Sequence, residues 1–207
     1  MKLTLPEMAA HYDKHAAELE LWEDRPRDHW RKTMIQSVLD RAEVDKSDVV
    51  LELGCGTGLI SRHLAPHIKR AVALDCSPGA LALARERSSH VDNIHWLRGD
   101  LRDPPGVPDV TTVIICGALR FLSNPERKAT LRKIWAMLPE DGLLIIGDMI
   151  WTIDPEQVED PEEMGLEDFA YTLHAEALGE LVQRLGVGPR LLALHPAWSV
   201  VTALKEG

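Results

Sequence analysis

The segment with the clearest chemical meaning contains three closely spaced glycines, Gly54, Gly56 and Gly58, directly after an apolar run over residues 49–53. Glycine lets the backbone turn sharply and lets a bound molecule approach it closely. The related fingerprint for dinucleotides has the spacing G-x-G-x-x-G and holds a pyrophosphate at a helix N-terminus. Here the third glycine comes one residue earlier, and Glu52 would be a poor neighbour for a pyrophosphate. The pattern therefore favours a loop that binds a different ligand.

Two acidic residues follow later apolar runs, where they could contact the same ligand. Asp75 ends the run 71–75, and an acidic side chain there can accept hydrogen bonds from both ribose hydroxyls. Asp100 follows the run 94–98, and its carboxylate could accept a bond from the exocyclic amine of adenine. Each feature has a plainer interpretation, because glycine turns after strands are common and Asp75 could simply cap the next helix. Their order and spacing together predict a nucleoside site without an obvious phosphate cradle.

A parallel sheet with helices on both faces would bring these residues together, because short apolar runs alternate with helical patterns along the chain. We predict strands over 49–53, 71–75, 94–98, 110–116 and 143–147, then a hairpin over 191–195 and 198–204. We predict helices over 59–65, 78–89, 124–138 and 167–185, and two more within 7–44, divided at Arg25-Pro26. The acidic segment 151–165 is expected to be a loop or lid. Ligands of such sheets bind beyond the carboxyl ends of the strands.

Several of these segments resemble the motifs of one family, the class I S-adenosylmethionine (SAM) dependent methyltransferases. Residues 51–58 (LELGCGTG) resemble motif I, and residues 73–77 (ALDCS) resemble the next motif, whose acid binds the ribose. Residues 97–101 (LRGDL) resemble the segment whose aspartate contacts adenine, and residues 113–122 are similar to motif IV. The resemblance covers about residues 46–150, and motif I is its most specific part.

The resemblance implies an α/β fold, a Rossmann-like three-layer sandwich around a mostly parallel, seven-stranded sheet with an antiparallel C-terminal hairpin. Residues 1–207 would form one domain, with residues 1–45 as a helical lid and residues 46–207 as the core. The implied cofactor is SAM, with S-adenosylhomocysteine (SAH) as product. The residues expected to bind it are Tyr12, Glu52, Gly54, Cys55, Gly56, Gly58, Asp75, Cys76, Asp100, Leu101, Cys116 and Gly117.

No catalytic constellation is evident, and methyl transfer does not require one. Much of the rate of an in-line displacement can come from proximity and orientation, although an oxygen or amine acceptor can need a general base. The candidates are His11 and Tyr12, near the N-terminus, and Arg120, in the segment that resembles motif IV. The plainer interpretation of the histidines is an exposed amphipathic helix. His29, Asp148 and Trp151 also lie on segments that could face a pocket.

The composition of the chain restricts the kinds of partner and ligand that are expected. With 33 acidic and 23 basic residues the net charge is −10, which makes nucleic acid an unlikely partner because its binding depends on Lys and Arg. No apolar segment approaches the roughly 20 residues that span a bilayer. Three cysteines without a CxxC unit indicate a reducing, cytoplasmic setting. The histidine pairs His11/His15 and His63/His67 lack the context of a metal site, so no metal is expected.

The leading interpretation is methyl transfer from SAM to a small molecule, by a monomer or a homodimer. One alternative is methylation of a macromolecule, such as tRNA or a protein. A second is a SAM-binding regulatory protein without catalysis. An NAD-dependent oxidoreductase is the most distant, because the glycine spacing disfavours it.

Overall fold

The main sheet contains one strand, over residues 49–53, that is buried along its whole length. The computed structural model describes residues 4–16, 29–148, 150–151, 173–183, 190–195 and 198–205. The strands are β1 (Val49–Leu53), β2 (Arg70–Asp75), β3 (Ile94–Arg98), β4 (Thr112–Cys116), β5 (Leu143–Asp148), β6 (Ile150–Trp151), β7 (Leu173–His174), β8 (Arg190–His195) and β9 (Trp198–Leu204). The helices are α1 (Leu5–His15), α2 (His29–Arg41), α3 (Leu59–Leu64), α4 (Pro78–Arg87), α5 (Asn124–Met137) and α6 (Ala175–Gln183). Among the described helices, none is long and apolar enough to cross a membrane.

Seven strands form one sheet in the order β3-β2-β1-β4-β5-β9-β8. Strands β1 to β5 are mutually parallel, and β9 runs antiparallel to both of its neighbours. The predicted mostly parallel, seven-stranded sheet with its antiparallel C-terminal hairpin is therefore confirmed. The strand order reverses between β1 and β4, which is the switch point where such sheets bind ligands. Because Leu53 is in register with both Leu74 and Ile115, the loops after β1, β2 and β4 begin at the same edge.

Side chains alternate between the two faces of the sheet, and each face packs against helices. Val50 lies on the face covered by α2 and α3, in a cluster whose helical members are Met34, Val38, Ile60 and Leu64. Leu51 and Leu53 lie on the opposite face, in a cluster whose helical members are Leu131, Ile134, Trp135, Leu178 and Val182. This gives the predicted three-layer sandwich, with a buried sheet between two layers of helices.

Helix α5 begins with a different cap from the one the sequence predicts. The Asn124-Pro125 step was expected to supply the cap, but Ser123 is the N-cap residue and forms a capping box with Glu126. The Ser123 hydroxyl and the Glu126 carboxylate each satisfy backbone N–H groups that the first helical turn leaves unbonded. The pattern S-x-x-E therefore determines the N-cap, and Asn124 becomes the first residue of the helix.

The predicted helix over 167–185 is wrong at residues 173 and 174. Leu173 and His174 form β7, which pairs in parallel with Ile150 and Trp151 of β6, and the helix begins only at Ala175. This pairing joins segments far apart in sequence, so local periodicity does not reveal it. The loop predicted over 151–165 is wrong at its first residue, because Trp151 belongs to β6. The rest of that loop, the predicted break at Arg25-Pro26 and the Pro196-Ala197 link lie outside the described residues.

A buried carboxyl group ties β1 to α3, the helix that follows the glycine loop. Glu52 and Ser61 are both buried. The Ser61 backbone N–H donates to Glu52 Oε2 over 3.0 Å, and the Ser61 hydroxyl donates to the same oxygen. Burial raises the pKa of Glu52 to about 7, although the two bonds from Ser61 oppose the shift. Glu52 thus orders the start of α3 from behind the loop.

This pKa predicts a pH dependence of stability that Glu52→Gln should remove. Because the folded-state pKa lies above the unfolded value, its contribution to stability is fully present below pH 4.5 and is lost as the pH rises through about 7. The variant has no such loss, so from about pH 5 to about pH 8 its free energy of unfolding should rise relative to wild type by about 2–3 kcal/mol. Urea unfolding of both proteins across this range measures the difference. A difference that does not change with pH would mean that Glu52 titrates normally.

Candidate cofactor and acceptor site

The glycine loop after β1 has a backbone that only glycine adopts easily. Gly54, Gly56 and Gly58 have φ values of +77°, +54° and +76°, which lie in the left-handed region. Two of these positions also lack room for a side chain, because a Cβ at Gly54 would overlap Ala118 and a Cβ at Gly58 would overlap the Trp96 ring. The loop is therefore packed against the segment after β4 on one side and against β3 on the other.

Asp75, the residue predicted to bind a ribose, lies directly beside the glycine loop. Its Oδ2 accepts a bond of 2.7 Å from the Gly56 N–H, and its Oδ1 accepts one of 2.9 Å from the Ser77 N–H. Removal from water raises the pKa of Asp75, and the bonds from Ser77 and Gly56 oppose that shift. Bonds from the backbone and the thiol of Cys76 oppose the shift as well. Because a carboxylate has about four lone-pair sites, a ribose hydroxyl would share the Asp75 oxygens with these donors.

Asp100, predicted to contact adenine, is held by an arginine two residues further on. The Arg102 N–H donates to Asp100 Oδ1 over 2.9 Å, Nε donates to Oδ2 over 2.7 Å, and Nη2 forms an ion pair with Oδ2 at 2.6 Å. The guanidinium also reaches Glu126 Oε1 at 3.2 Å. Arg102 therefore fixes the direction of the Asp100 carboxylate and connects it to the cap of α5. Leu101, between them, packs partly buried against the core.

Three cysteines lie at or just after the strand ends, and burial disfavours the thiolate form of two of them, Cys55 and Cys76. Cys55 is buried, and Cys76 and Cys116 are partly buried. Burial raises the pKa of Cys55, and burial with the nearby Asp75 charge raises the pKa of Cys76 to about 12. Since the thiolate is the reactive form, neither cysteine is activated near neutral pH.

Gly117, directly after Cys116, leaves space at the end of β4. It has a φ of +70°, and its N–H donates to the Gly147 carbonyl over 2.7 Å. A Cβ at this position would have no atom of the described residues within 4 Å. A molecule on the glycine loop could therefore approach the backbone here.

A buried arginine and a buried aspartate fix the turn Leu119–Phe121 that follows. The Arg127 side chain, from α5, donates through Nε to the Leu119 carbonyl over 3.1 Å and through Nη2 to the Arg120 carbonyl over 3.2 Å. Asp148, at the end of β5, accepts a bond of 3.1 Å from the Arg120 backbone N–H. Both side chains are almost fully buried.

Asp148 was a candidate for a pocket-facing residue, but it supports the turn instead. Arg127 was missed, because nothing in the sequence separates it from the exposed basic residues of α5.

Helix α1 is anchored to the start of α4 by Asp13. Its Oδ1 accepts bonds from the Ser77 hydroxyl over 2.6 Å and from the Gly79 N–H over 2.7 Å. A Cβ at Gly79 would lie only 2.9 Å from this oxygen, so the close approach depends on glycine. Ser77 meanwhile caps α4 by accepting from the Ala80 N–H, as the sequence predicted. One carboxylate thus docks α1 onto the segment that follows β2.

Helix α1 also contacts the turn after β4. The Tyr12 ring meets the Phe121 ring edge to face, with centroids 5.8 Å apart. His11 lies beside Tyr12 with its ring centroid at 5.3 Å. Since β1 lies between β2 and β4, a helix attached beyond the ends of both strands spans the end of β1. The structure therefore brings His11, Tyr12 and Arg120 to the same edge as the glycine loop. The side chains of His29 and Trp151 lie outside the part of the chain that is described.

These residues fit the nucleoside cofactor that the family resemblance implies. The glycines after β1 and Gly117 after β4 have left-handed backbone, and there is space for a ligand at Gly117. A side chain at Gly117 would occupy that space. Carboxylates follow β2 and β3, where ribose hydroxyls and an adenine amine could donate to them. Among the described residues, there is no group of three or more side chains that could hold a metal ion.

The comparison with known sequences agrees with this geometry. Residues 50–142 match the family described as "Methyltransferase domain". The chain is 38% identical over 117 residues to a "2-phytyl-1,4-naphtoquinone methyltransferase" of Thermosynechococcus vestitus. The aligned residues are 55% of this chain and 51% of the relative. The chain therefore spans about half the length of that curated relative.

Two solved structures share the fold over nearly the whole chain. A structure described as "DhpI-SAH complex structure" has a TM-score of 0.75 and 22% identity, and covers 98% of this chain and 97% of the other. The structure of "the [4+2]-Cyclase SpnF" has a TM-score of 0.76 and 15% identity, and covers 100% of this chain and 97% of the other. At this level of identity, the likeness shows the fold and leaves the chemistry open.

The family match includes β1 to β4, the glycine loop and both of its acidic partners. The shared topology extends the likeness to the C-terminal strands. The segments that build the site are thus the ones in which the chain is similar to the methyltransferase domain family.

Proposed function

We propose that this chain transfers a methyl group from SAM to a small-molecule acceptor. The observation that carries the proposal is the hydrogen bond between Gly56 and Asp75, which holds the glycine loop and a ribose acceptor together at the switch point. When bound, SAM would supply a methyl group activated by its sulfonium. The binding residues are those predicted from the sequence. The Gly54 and Gly56 backbone would face the methionine part, Asp75 the ribose and Asp100 the adenine.

The contribution of this chain to the reaction would be orientation and exclusion of water. We infer one domain over residues 1–207, in which residues 1–45 form a lid over the core. Two contacts support this role, because they hold α1 beyond the end of β1. They are the bond from the Gly79 N–H to Asp13 and the ring contact between Tyr12 and Phe121. Fixing two reactants in line can supply several kcal/mol of the barrier. Where an acceptor must lose a proton, the His11 imidazole is the candidate base.

A small acceptor fits the charge of the chain better than a macromolecule with phosphates. The net charge is −10, which opposes nucleic acid binding, and the naphthoquinone enzyme among the relatives is named for a small molecule. We also infer a cytoplasmic protein, because none of the three cysteines forms a disulfide with another described residue. A monomer or a homodimer is compatible with the proposal.

The function is tested by measuring methyl transfer itself, because a cyclase shares this fold. The protein is incubated with SAM that carries a labelled methyl group and with a panel of quinones, phenols, amines and carboxylic acids. The proposal predicts SAH formation together with a labelled acceptor of higher mass. Binding of SAM without transfer to any acceptor would favour the regulatory alternative.

Asp75→Asn should weaken SAH binding. The amide cannot accept from the Gly56 N–H, the Ser77 N–H and two ribose hydroxyls at once, so a loss of about 1–3 kcal/mol is expected. Calorimetric titration with SAH measures the affinity of the purified variant. The matched control is Asp103→Asn, which removes an exposed carboxylate paired with Lys133 and should leave the affinity unchanged. Equal affinities for both variants would remove Asp75 from the ribose role.

Asp13→Ala should release α1 without disturbing the sheet. The variant loses two bonds to a carboxylate, which corresponds to roughly tenfold or greater opening of the helix. Amide hydrogen exchange of residues 5–15 should accelerate, acceptor turnover should fall, and exchange in β1 and β4 should stay as in wild type. Lys14→Ala, an exposed neighbour on the same helix, is the control. Unchanged turnover after release of α1, or after deletion of residues 1–27, would refute the lid.

A further inference from the structure

The loop after β3 places Asp100 close to the residue that is proposed to bind the ribose. The Gly99 N–H donates to the Asp75 carbonyl over 2.9 Å, and a Cβ at Gly99 would lie only 2.7 Å from a methyl carbon of Leu74. Burial raises the pKa of the Cys76 thiol to about 12, and the charges of Asp75 and Asp100 add to the shift. Both carboxylates are therefore near Cys76. A nucleoside whose ribose contacts Asp75 would have Asp100 within reach of its base.

The backbone of this loop fixes one oxygen of the Asp100 carboxylate. The Arg102 N–H donates to Oδ1 over 2.9 Å, which is the short-range bond that aspartate commonly accepts from the residue two positions later. The Asp103 N–H donates to the Asp100 carbonyl over 2.9 Å and closes the turn. These bonds define the turn and the direction of Oδ1, but neither of them reaches Oδ2.

The Arg102 guanidinium fixes the second oxygen. Its Nε donates to Oδ2 over 2.7 Å and to Oδ1 over 3.0 Å, and its Nη2 lies 2.6 Å from Oδ2. The planar fork of an arginine restricts the direction of a carboxylate more than a single ammonium group would. The backbone and the side chain of Arg102 thus hold both oxygens of Asp100.

The guanidinium is in turn held by the first turn of α5. Its Nη1 donates to Glu126 Oε1 over 3.2 Å. The other oxygen of Glu126 accepts from the Ser123 N–H over 2.8 Å and from the Ser123 hydroxyl, which is the capping box of the helix. Later in the same helix, Leu131 and Ile134 are completely buried. Arg102 therefore connects Asp100 to a helix that is fixed in the core.

This network matters more for the direction of the Asp100 carboxylate than for the stability of the fold. The side chains of Asp100, Arg102 and Glu126 are all partly exposed, and ion pairs at such positions contribute little to folding. Hydrogen bonds, however, weaken steeply when donor and acceptor are misaligned. A carboxylate that is already fixed also binds a ligand without the entropic cost of ordering a side chain.

We propose that Arg102 is a positioning residue for the adenine end of the cofactor: by holding Asp100 against the cap of α5, it makes the site select a base that carries a 6-amino group. The proposal rests on the proposed function, because it deepens the assignment of Asp100 to adenine. Arg102 acts through Asp100 and is not assigned a contact with the cofactor. Because a carboxylate has about four lone-pair sites, the amine would share the Asp100 oxygens with the donors of Arg102.

The experiment measures how strongly the site prefers a base with a 6-amino group. Calorimetric titration compares SAH with an analogue that has hydrogen in place of this group. Wild type should bind SAH roughly tenfold more tightly, as expected for a hydrogen bond to a charged group. Arg102→Gln should reduce this preference by about threefold or more, the cost of ordering one side chain on binding. Arg102→Lys should restore part of it, because it keeps the charge without the fork.

Two further variants complete the series. Arg132→Gln changes an exposed arginine of α5, so it is the matched control and should keep the preference of wild type. Glu126→Gln tests the anchor on α5. Glutamine can also complete a capping box, so the helix should persist while the charge opposite Arg102 is lost, and the preference should fall by less than in Arg102→Gln. An unchanged preference in Glu126→Gln would overturn the part of the proposal that includes α5.

The ratio of the two affinities separates positioning from a general loss of structure. A purely structural role would lower both affinities by the same factor, so an unchanged or larger ratio in Arg102→Gln would overturn the proposal. Asp100→Ala separates this failure from that of the proposed function. If Asp100→Ala loses the preference and Arg102→Gln keeps it, only the role of Arg102 is refuted. If Asp100→Ala keeps the preference, or if SAM and SAH do not bind, the cofactor assignment fails and the proposal fails with it.

Discussion

The bond from the Gly56 N–H to Asp75 is the contact on which the rest of the site depends. It joins the loop after β1 to the end of β2 over 2.7 Å, and it holds Gly56 in the left-handed region. With the loop in this position, Gly54 can pack against Ala118 and Gly58 against Trp96. The same carboxylate receives the N–H of Ser77, which caps α4 and donates to Asp13. One acidic side chain thus links the glycine loop, the second strand and, through Ser77, helix α1.

Two further acidic side chains each stabilise one part of the site. Glu52 lies behind the loop and orders α3 through Ser61, whereas Asp148 lies below the turn after β4 and orders Arg120. Neither position offers a nucleophile, and the pKa values of the Cys55 and Cys76 thiols are raised. A site built in this way is suited to holding two reactants in a fixed orientation. That is what a reaction needs when one of the reactants carries its own leaving group.

Much of the scaffold was predictable because its signals are local. Short apolar runs predicted the seven strands of the main sheet within two residues, and Ser77-Pro78 predicted the start of α4 correctly. The features that were missed depend on contacts between distant segments: β6 pairs with β7, Arg127 supports a turn seven residues before it, and Asp13 docks on Gly79. The pairing of Asp100 with Arg102 was also missed, because the sequence does not say which partner a carboxylate selects. The binding residues themselves remain predictions, since their positions agree with a nucleoside site but no ligand contact tests them.

The glycine loop and its acidic partners are proposed to bind SAM rather than a dinucleotide. Parallel calorimetric titrations of the purified protein with SAM, SAH and NAD test this proposal most directly. The spacing of the glycines and the position of Asp75 predict that SAM and SAH bind and that NAD does not. Binding of NAD alone, or of none of the three, would contradict the assignment of this site.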